Sequence, residues 1–215
     1  GNLLKVYPKA NPDLIKATQE GTFILLFESA DFNTGGANFQ VAALVGDMDS
    51  SNSTCSPTSS FSNCKYTVGD ENYQSAASGT CPAQVLIDPA TAKAGQLVAG
   101  GKGQKFTITL PVIGGLKLTL RQMTMTGTVT DDKSWKSTSA GKICGVITEH
   151  DLNNAIEKVP DSGWQEIGLT KEQIKTLLPL FVKADIDTND DKIADAISIA
   201  MLFKTVPGQI TAVVP

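Results

Sequence analysis

Only one histidine, His150, occurs in 215 residues, and the four cysteines contain no Cys-x-x-Cys pair. That leaves no Cys/His set for zinc. His150 follows Glu149 and precedes Asp151 at the start of a predicted helix, the setting of a solvated surface side chain. No Gly-x-Ser-x-Gly is present, and Ser139-Ala-Gly-Lys142 has a Ser-x-x-Lys spacing only at a strand entrance. Gly100-Gly101-Lys102-Gly103 lacks the spacing of a phosphate loop and reads as a tight turn. Aromatics make up 6% of the chain, so Trp135, Trp164, Tyr66 and Tyr73 are assigned to packing before sugar stacking. Basic and aromatic residues do not cluster, which argues against nucleic acid. No run of 18 apolar residues exists to span a membrane as a helix.

What is present points to strands. The hydrophobic fraction is 41%, charged residues are 19%, and 19 glycines punctuate stretches rich in Ser and Thr. Asn11-Pro12-Asp13 opens a short helix over 12–19. Strands are predicted at Thr22–Glu28, Phe39–Val45, Tyr66–Val68, Val85–Ile87 and Gln96–Val98. Phe106, Ile108, Leu110 and Val112 alternate with threonines, Gly114-Gly115 supplies a hairpin turn, and Leu116, Leu118 and Leu120 alternate in return. Met123 and Met125 continue that apolar set on the opposite parity, which requires a bulge near Arg121-Gln122. A last strand is predicted at Lys142–Ile147.

After residue 148 the period becomes helical. Thr148 and Asp151 form an acidic capping box ahead of Leu152, Ala155, Ile156 and Val159. Thr170 and Gln173 form a second box ahead of Ile174, Leu177, Leu178 and Phe181, with Pro179 marking that helix's end. A short helix over Ile197–Lys204 is predicted last. The expected architecture is a mainly β, antiparallel, jelly-roll-like sandwich over 1–148, followed by a helical segment over 149–215. Within the first unit, residues 46–82 lose periodicity and form a long excursion. Cys55 and Cys64 sit in it among Ser, Thr and Asn, where a staple is needed for order, and Asn52-Ser-Thr54 fits a glycosylation sequon. Of three pairings, Cys55–Cys64 with Cys81–Cys144 is the expectation, formed in an oxidising compartment.

Charge is uneven. Residues 149–195 hold 11 of the 22 acids against 5 lysines, whereas the remainder has 11 acids and 13 bases. Five of those acids are aspartates within 185–195, which repel one another in an empty folded loop, and a divalent cation removes that repulsion. Counted from Asp187, oxygen side chains fall at positions 1 (Asp187), 3 (Asn189), 5 (Asp191), 9 (Asp195) and 12 (Ser198). Ile193 at position 7 offers a carbonyl and a side chain that can enter a core. This is the ladder of a twelve-residue calcium loop built from hard oxygen donors. Position 6 is Lys192 in place of glycine, where a left-handed backbone costs roughly 1 kcal/mol. Position 12 is Ser198 in place of a bidentate Glu, so Asp185 is the candidate substitute ligand. The alternative is a solvated acidic turn.

On these residues the loop resembles the Asp-x-Asp-x-Asp-Gly-x-x-Asp-Ala repeat of thrombospondin type 3 modules, and more loosely EF-hand and dockerin loops. Asp195, Ala196, Ser198, Phe203, Thr205 and Val206 are similar to the ending of certain exported bacterial proteins and lipoproteins. The resemblance covers about thirty residues. It implies export and a calcium-supported structure, and it implies no activity. The start at Gly1 is read as that of a chain whose leader has been removed, and a lipid anchor is compatible with it. The expected function is a secreted, periplasmic or outer-membrane-anchored protein of binding or structural type, held by one Ca2+, with a polysaccharide or a cell-surface protein as partner. The alternative is a secreted polysaccharide hydrolase using two of Glu28, Asp31, Asp47, Asp49, Asp70 and Glu71. Asp47 and Asp49, after a strand, are also candidates for a second cation.

Overall fold

The computed structural model describes residues 9–52, 55, 64–74, 81–111, 113–129 and 141–215. Val112, Trp135, Ser139, the last two sequon residues and much of the 46–82 excursion lie outside them. The described chain is mainly β. Its strands are β1 (Ile24–Glu28), β2 (Gly35–Met48), β3 (Cys64–Gly69), β4 (Leu86–Lys93), β5 (Gln96–Gly100), β6 (Lys105–Leu110), β7 (Leu116–Thr128), β8 (Gly141–Thr148), β9 (Ala196–Phe203) and β10 (Gly208–Val214). Four α-helices accompany them among the described residues: α1 (Ala10–Gln19), α2 (Glu149–Lys158), α3 (Asp161–Glu166) and α4 (Lys171–Phe181).

All ten strands belong to one open sheet, ordered β10-β3-β2-β4-β5-β7-β8-β9, with β1 added on β2 and β6 on β7. Every pairing is antiparallel except β10 with β3. The expected sandwich would divide these strands between two separately bonded sheets. Here β2, 14 residues long, pairs in turn with β4, β1 and β3, and so carries the hydrogen bonding across any such division.

The β6–β7 hairpin forms as the alternation predicts, with Leu110 opposite Leu116 and positive φ at Gly114 (68°) and Gly115 (90°). The predicted slip is also present. Gln122 adopts φ 50°, the register against β8 shifts between Arg121 and Thr124, and Met123 and Met125 turn inward beside Leu118 and Leu120. This bulge explains a glycine on a neighbouring strand. A Cβ on Gly100 would strike the Met123 carbonyl oxygen, while the adjacent Gly101 N–H donates to that oxygen at 2.8 Å.

The inner face of the sheet and the helices share one core. Phe39 and Val41 of β2, Leu97 of β5, Phe106 of β6 and Leu120 of β7 pack with Leu152 and Ile156 of α2, Trp164 of α3 and Ile174 of α4. Thr148 caps α2 by accepting from the Asp151 amide, and Thr170 with Gln173 completes a reciprocal capping box on α4. Pro179 falls in the last turn of α4.

The final helix expected at Ile197–Lys204 is instead strand β9. Ile197, Ile199, Met201 and Phe203 contact the core from alternate positions, and eight consecutive residues pair with β8 from Thr148↔Ala196 to Gly141↔Phe203. In so apolar a run, periods of 2 and 3.6 both fit, and cross-strand pairing decides between them. Helix, loop, helix is therefore replaced by helix, loop, strand. The four residues Lys204–Pro207 then connect β9, at one end of the sheet path, to β10 at the other. Such a short connection spans at most roughly 18 Å, so the two ends of the path are neighbours in space.

Candidate metal-binding loop

Beyond α4 the chain enters the acidic loop through a narrow neck. The amides of Asp185 and Ile186 donate to the Ala196 carbonyl at 2.9 and 3.0 Å, and those of Asp195 and Ala196 donate back to Ile186 at 2.9 and 3.0 Å. The neck sits at the first residue of β9, so the loop is a lateral excursion from a sheet edge. Ser198, one turn of the pleat further on, donates its amide and hydroxyl to the two oxygens of Asp185, both at 2.6 Å.

Inside the neck the aspartates answer backbone amides. Asp187 Oδ1 accepts from the amides of Asn189 (3.1 Å) and Asp190 (2.8 Å), and its Oδ2 accepts from Lys192 (2.7 Å). Asn189 Oδ1 accepts from the Asp191 amide at 3.1 Å, and Asp191 Oδ1 accepts from that of Ile193 at 2.8 Å. Each polar side chain thus folds onto the backbone two residues ahead, the local preference of Asp and Asn that opposes helix and strand. Asn189 Nδ2 adds a bond to Asp191 Oδ2 at 3.0 Å. The tight winding puts two residues in left-handed backbone, Asp190 at φ 65° and Lys192 at φ 71°. Lys192 occupies the position at which the calcium ladder calls for glycine.

Electrostatics follow the geometry. Desolvation pushes the Asp187 carboxyl up, but the amides of Lys192, Asn189, Asp190 and Asp191 together hold it below the usual carboxylate range. The hydroxyl and then the amide of Ser198 hold Asp185 low in the same way. Asp195 is engaged by Thr188, whose amide and hydroxyl reach Oδ1 at 2.9 Å each and whose hydroxyl reaches Oδ2 at 2.8 Å. The oxygen ladder does not include Thr188. Its signal is position, since a hydroxyl directly after the first loop aspartate is placed to meet the ninth position across the turn.

The loop therefore gathers Asp187, Asn189, Asp191 and Lys192 into one turn, links Asp195 to it through Thr188, and ties Asp185 to Ser198 at its base. Ile193 differs from expectation. Its side chain is 68% exposed and enters no core, because a lateral loop has no second helix to pack against. Among the described residues, no three His, Cys, Asp or Glu side chains stand close enough together to hold a metal ion.

Cys55 and Cys64 lie at disulfide spacing, with Cα atoms 5.5 Å apart, and Cys64 is buried with Ile24 and Tyr66. The expected second pair is not formed. Cys81 is exposed and Cys144 is half-buried on β8, both as free thiols, because β8 is held between β7 and β9 while residue 81 lies near the Tyr73↔Ala83 bridge. Cys144 lines a shallow groove with Gln122, Val146, Ile186 and Ser198, beside the loop.

The remaining candidates are dispersed. His150 is exposed and bonded to Asn154 at 2.9 Å. Tyr66 and Trp164, at 4% and 3% exposure, are core residues and present no surface to a sugar. Asp49 accepts from the Ser51 amide at 2.7 Å and from the Thr211 hydroxyl of β10, which brings its carboxyl down to about 2, the Thr211 bond contributing most. A bidentate ion pair stands on β7, two strands in from β9. Arg121, at the β7 bulge, donates to Asp151 at 2.5 and 3.0 Å and locks α2 onto the sheet. Comparison with protein-family models, curated proteins and solved structures returns no match.

Proposed function

We propose that the chain is an exported bacterial protein of the cell envelope or extracellular space, of binding or structural type, stabilised by one calcium ion in the loop 185–198. The observation that carries this reading is Lys192, which accepts a left-handed backbone at φ 71°. A lysine there is conformationally costly, and the twelve-residue oxygen ladder is the reason for the turn to wind that way. The donor set fits a hard cation. Asp187, Asn189, Asp191 and Asp195 would supply side-chain oxygens, Ile193 its carbonyl, and Ser198 or Asp185 the last ligand. Each carboxylate oxygen that accepts one amide keeps a further lone pair for such a ligand. Calcium, when bound, supplies the positive charge that five aspartates within 185–195 otherwise lack, with Lys192 the one lysine among them.

The Cys55–Cys64 spacing supports an oxidising compartment. With Tyr66 and Trp164 buried, support for a sugar-stacking platform falls, and a structural or assembly role in contact with a cell-surface protein is favoured over polysaccharide binding. We read the curled sheet as a two-layered, sandwich-like body, because Phe27 of β1 meets Phe203 of β9 across it.

The test is thermal unfolding of metal-stripped protein with and without millimolar calcium, repeated on the pair Asp187→Ala with Asp191→Ala. Binding at a concentration 100 times Kd adds about 2.7 kcal/mol. A calcium-dependent rise in Tm that vanishes in the double variant is expected. An unchanged Tm in the parent protein would make the loop a solvated acidic turn.

A further inference from the structure

Among the described residues, one end of the sheet path is left without a further strand. β10 bonds to β3 in parallel, from Gly208↔Cys64 to Val214↔Gly69, and its other edge makes no hydrogen bond among the described residues. Natural sheets blunt such an edge with charge, proline or a covering segment. Gly208–Val214 contains no charged residue and no proline, and six of its seven residues are exposed. Other outer strands are protected. β9 abuts β1 through Phe203 and Phe27 and is bridged by Ile186, β1 ends on Glu28, and β6 begins with Lys105 opposite Arg121.

The apolar row on β3 is also cut short there. Tyr66 and Val68 are 4% and 0% exposed, and their register partners on β10 are Ile210 and Val213. Val213 is 54% exposed although it stands on the same face as a fully buried valine. The bulge at Thr211 keeps Ile210 and Val213 on one face, and it turns the Thr211 hydroxyl back to Asp49 and to the Tyr66 carbonyl (3.1 Å).

We propose that β10 is an interface strand that pairs antiparallel, about a two-fold axis, with β10 of a second copy of this chain. A two-fold interface sets a strand against itself, so the strand must be self-compatible. β10 meets that condition. It carries no charge to face its own image, and an axis between Ile210 and Val213 sets each copy's Ile210 beside the other's Val213. The buried row of β3 then continues across the junction. β10 offers no charge by which a different protein's strand could be selected. Pairing consumes the open edge, so assembly stops at two copies. This inference is independent of the calcium reading.

Two seven-residue strands make a small contact, so dissociation constants between about 1 μM and about 1 mM are the range to cover. Sedimentation equilibrium on the whole chain over that range is expected to move from 22.6 kDa to twice that mass. Val213→Lys, at a site already half in solvent, should keep the native circular dichroism and weaken association by about tenfold or more. Amide exchange in 208–214 should slow with concentration in the parent protein and not in the variant. A constant 22.6 kDa mass would overturn the proposal. So would a Val213→Lys dimer as tight as the parent's, since the contact would then lie elsewhere or arise by exchange of β10 between copies.

Discussion

The rings of Phe27 and Phe203 pack with centroids 5.6 Å apart and planes inclined at 41°, although six hydrogen-bonded pairings separate β1 from β9 along the sheet. The contact records how far the sheet curls. Phe203 also lies over Gly141, its register partner on β8, where any Cβ would collide with the ring. One side chain therefore covers a glycine that leaves its strand thin and meets the far edge of the same sheet.

Phe203→Ala is expected to cost about 2–3 kcal/mol, below the full core value because the ring is half-buried. In a double-mutant cycle with Phe27→Ala, about 1 kcal/mol should appear as coupling. Urea unfolding of the four proteins measures both. Additive losses would mean that the two edges are held together by other contacts.

Arg121→Leu removes both donors from Asp151, a carboxylate 13% exposed at the N-terminus of α2. A loss of about 1–2 kcal/mol is expected, because the carboxylate is left desolvated with Thr148 as its remaining side-chain partner. Arg121→Leu with Asp151→Asn should lose less than the two single changes summed, read by the same unfolding experiment.

Lys192→Gly relieves a left-handed residue in place and should raise stability by about 0.5–1 kcal/mol, whereas Lys192→Ala should not. Calorimetry of the metal-free proteins separates this backbone effect from binding. If calcium occupies the loop, the glycine variant should also gain at least as large a calcium-dependent shift in Tm as the parent.

Acid should release β10 before it unfolds the sheet. The Asp49 carboxyl lies at about 2 in the folded chain against an ordinary 3.8, held down first by the Thr211 hydroxyl and then by the Ser51 amide. A depressed folded value means that the stabilisation is complete above 3.8 and is lost as pH falls through about 2. Amide exchange in 208–214 should therefore rise between those values, and Asp49→Asn should remove the pH dependence. Asp185 and Asp187, also held low, act with the same sign, so the acidic loop should loosen under acid as well.

Much of the middle of the chain is legible in the amino-acid sequence alone. The β6–β7 alternation, the glycine turn, the parity slip at Arg121-Gln122, the Thr148 cap and the Thr170–Gln173 capping box are local devices, each decided by residues within a few positions of one another. The acidic loop is legible for the same reason, since Asp and Asn bond amides two residues away wherever they stand. The left-handed Lys192 is legible too, as a cost.

What the sequence does not specify depends on partners far along the chain. Ala196–Phe203 is apolar enough to satisfy either period, and it becomes a strand because β8 offers an edge about fifty residues earlier. Gly208–Val214 finds β3 nearly 150 residues back, and Gly208 is tolerated there because the Tyr66 ring lies where a Cβ would go, 2.6 Å away. Cys81 and Cys144 remain apart because sheet registers, not cysteine spacing, set where β8 lies. Local hydrogen bonds and side-chain periods fix turns, caps and hairpins, because they cost little chain entropy to form. Sheet order, the meeting of Phe27 with Phe203 and the open edge at β10 are decided only when distant strands compete for the same partners.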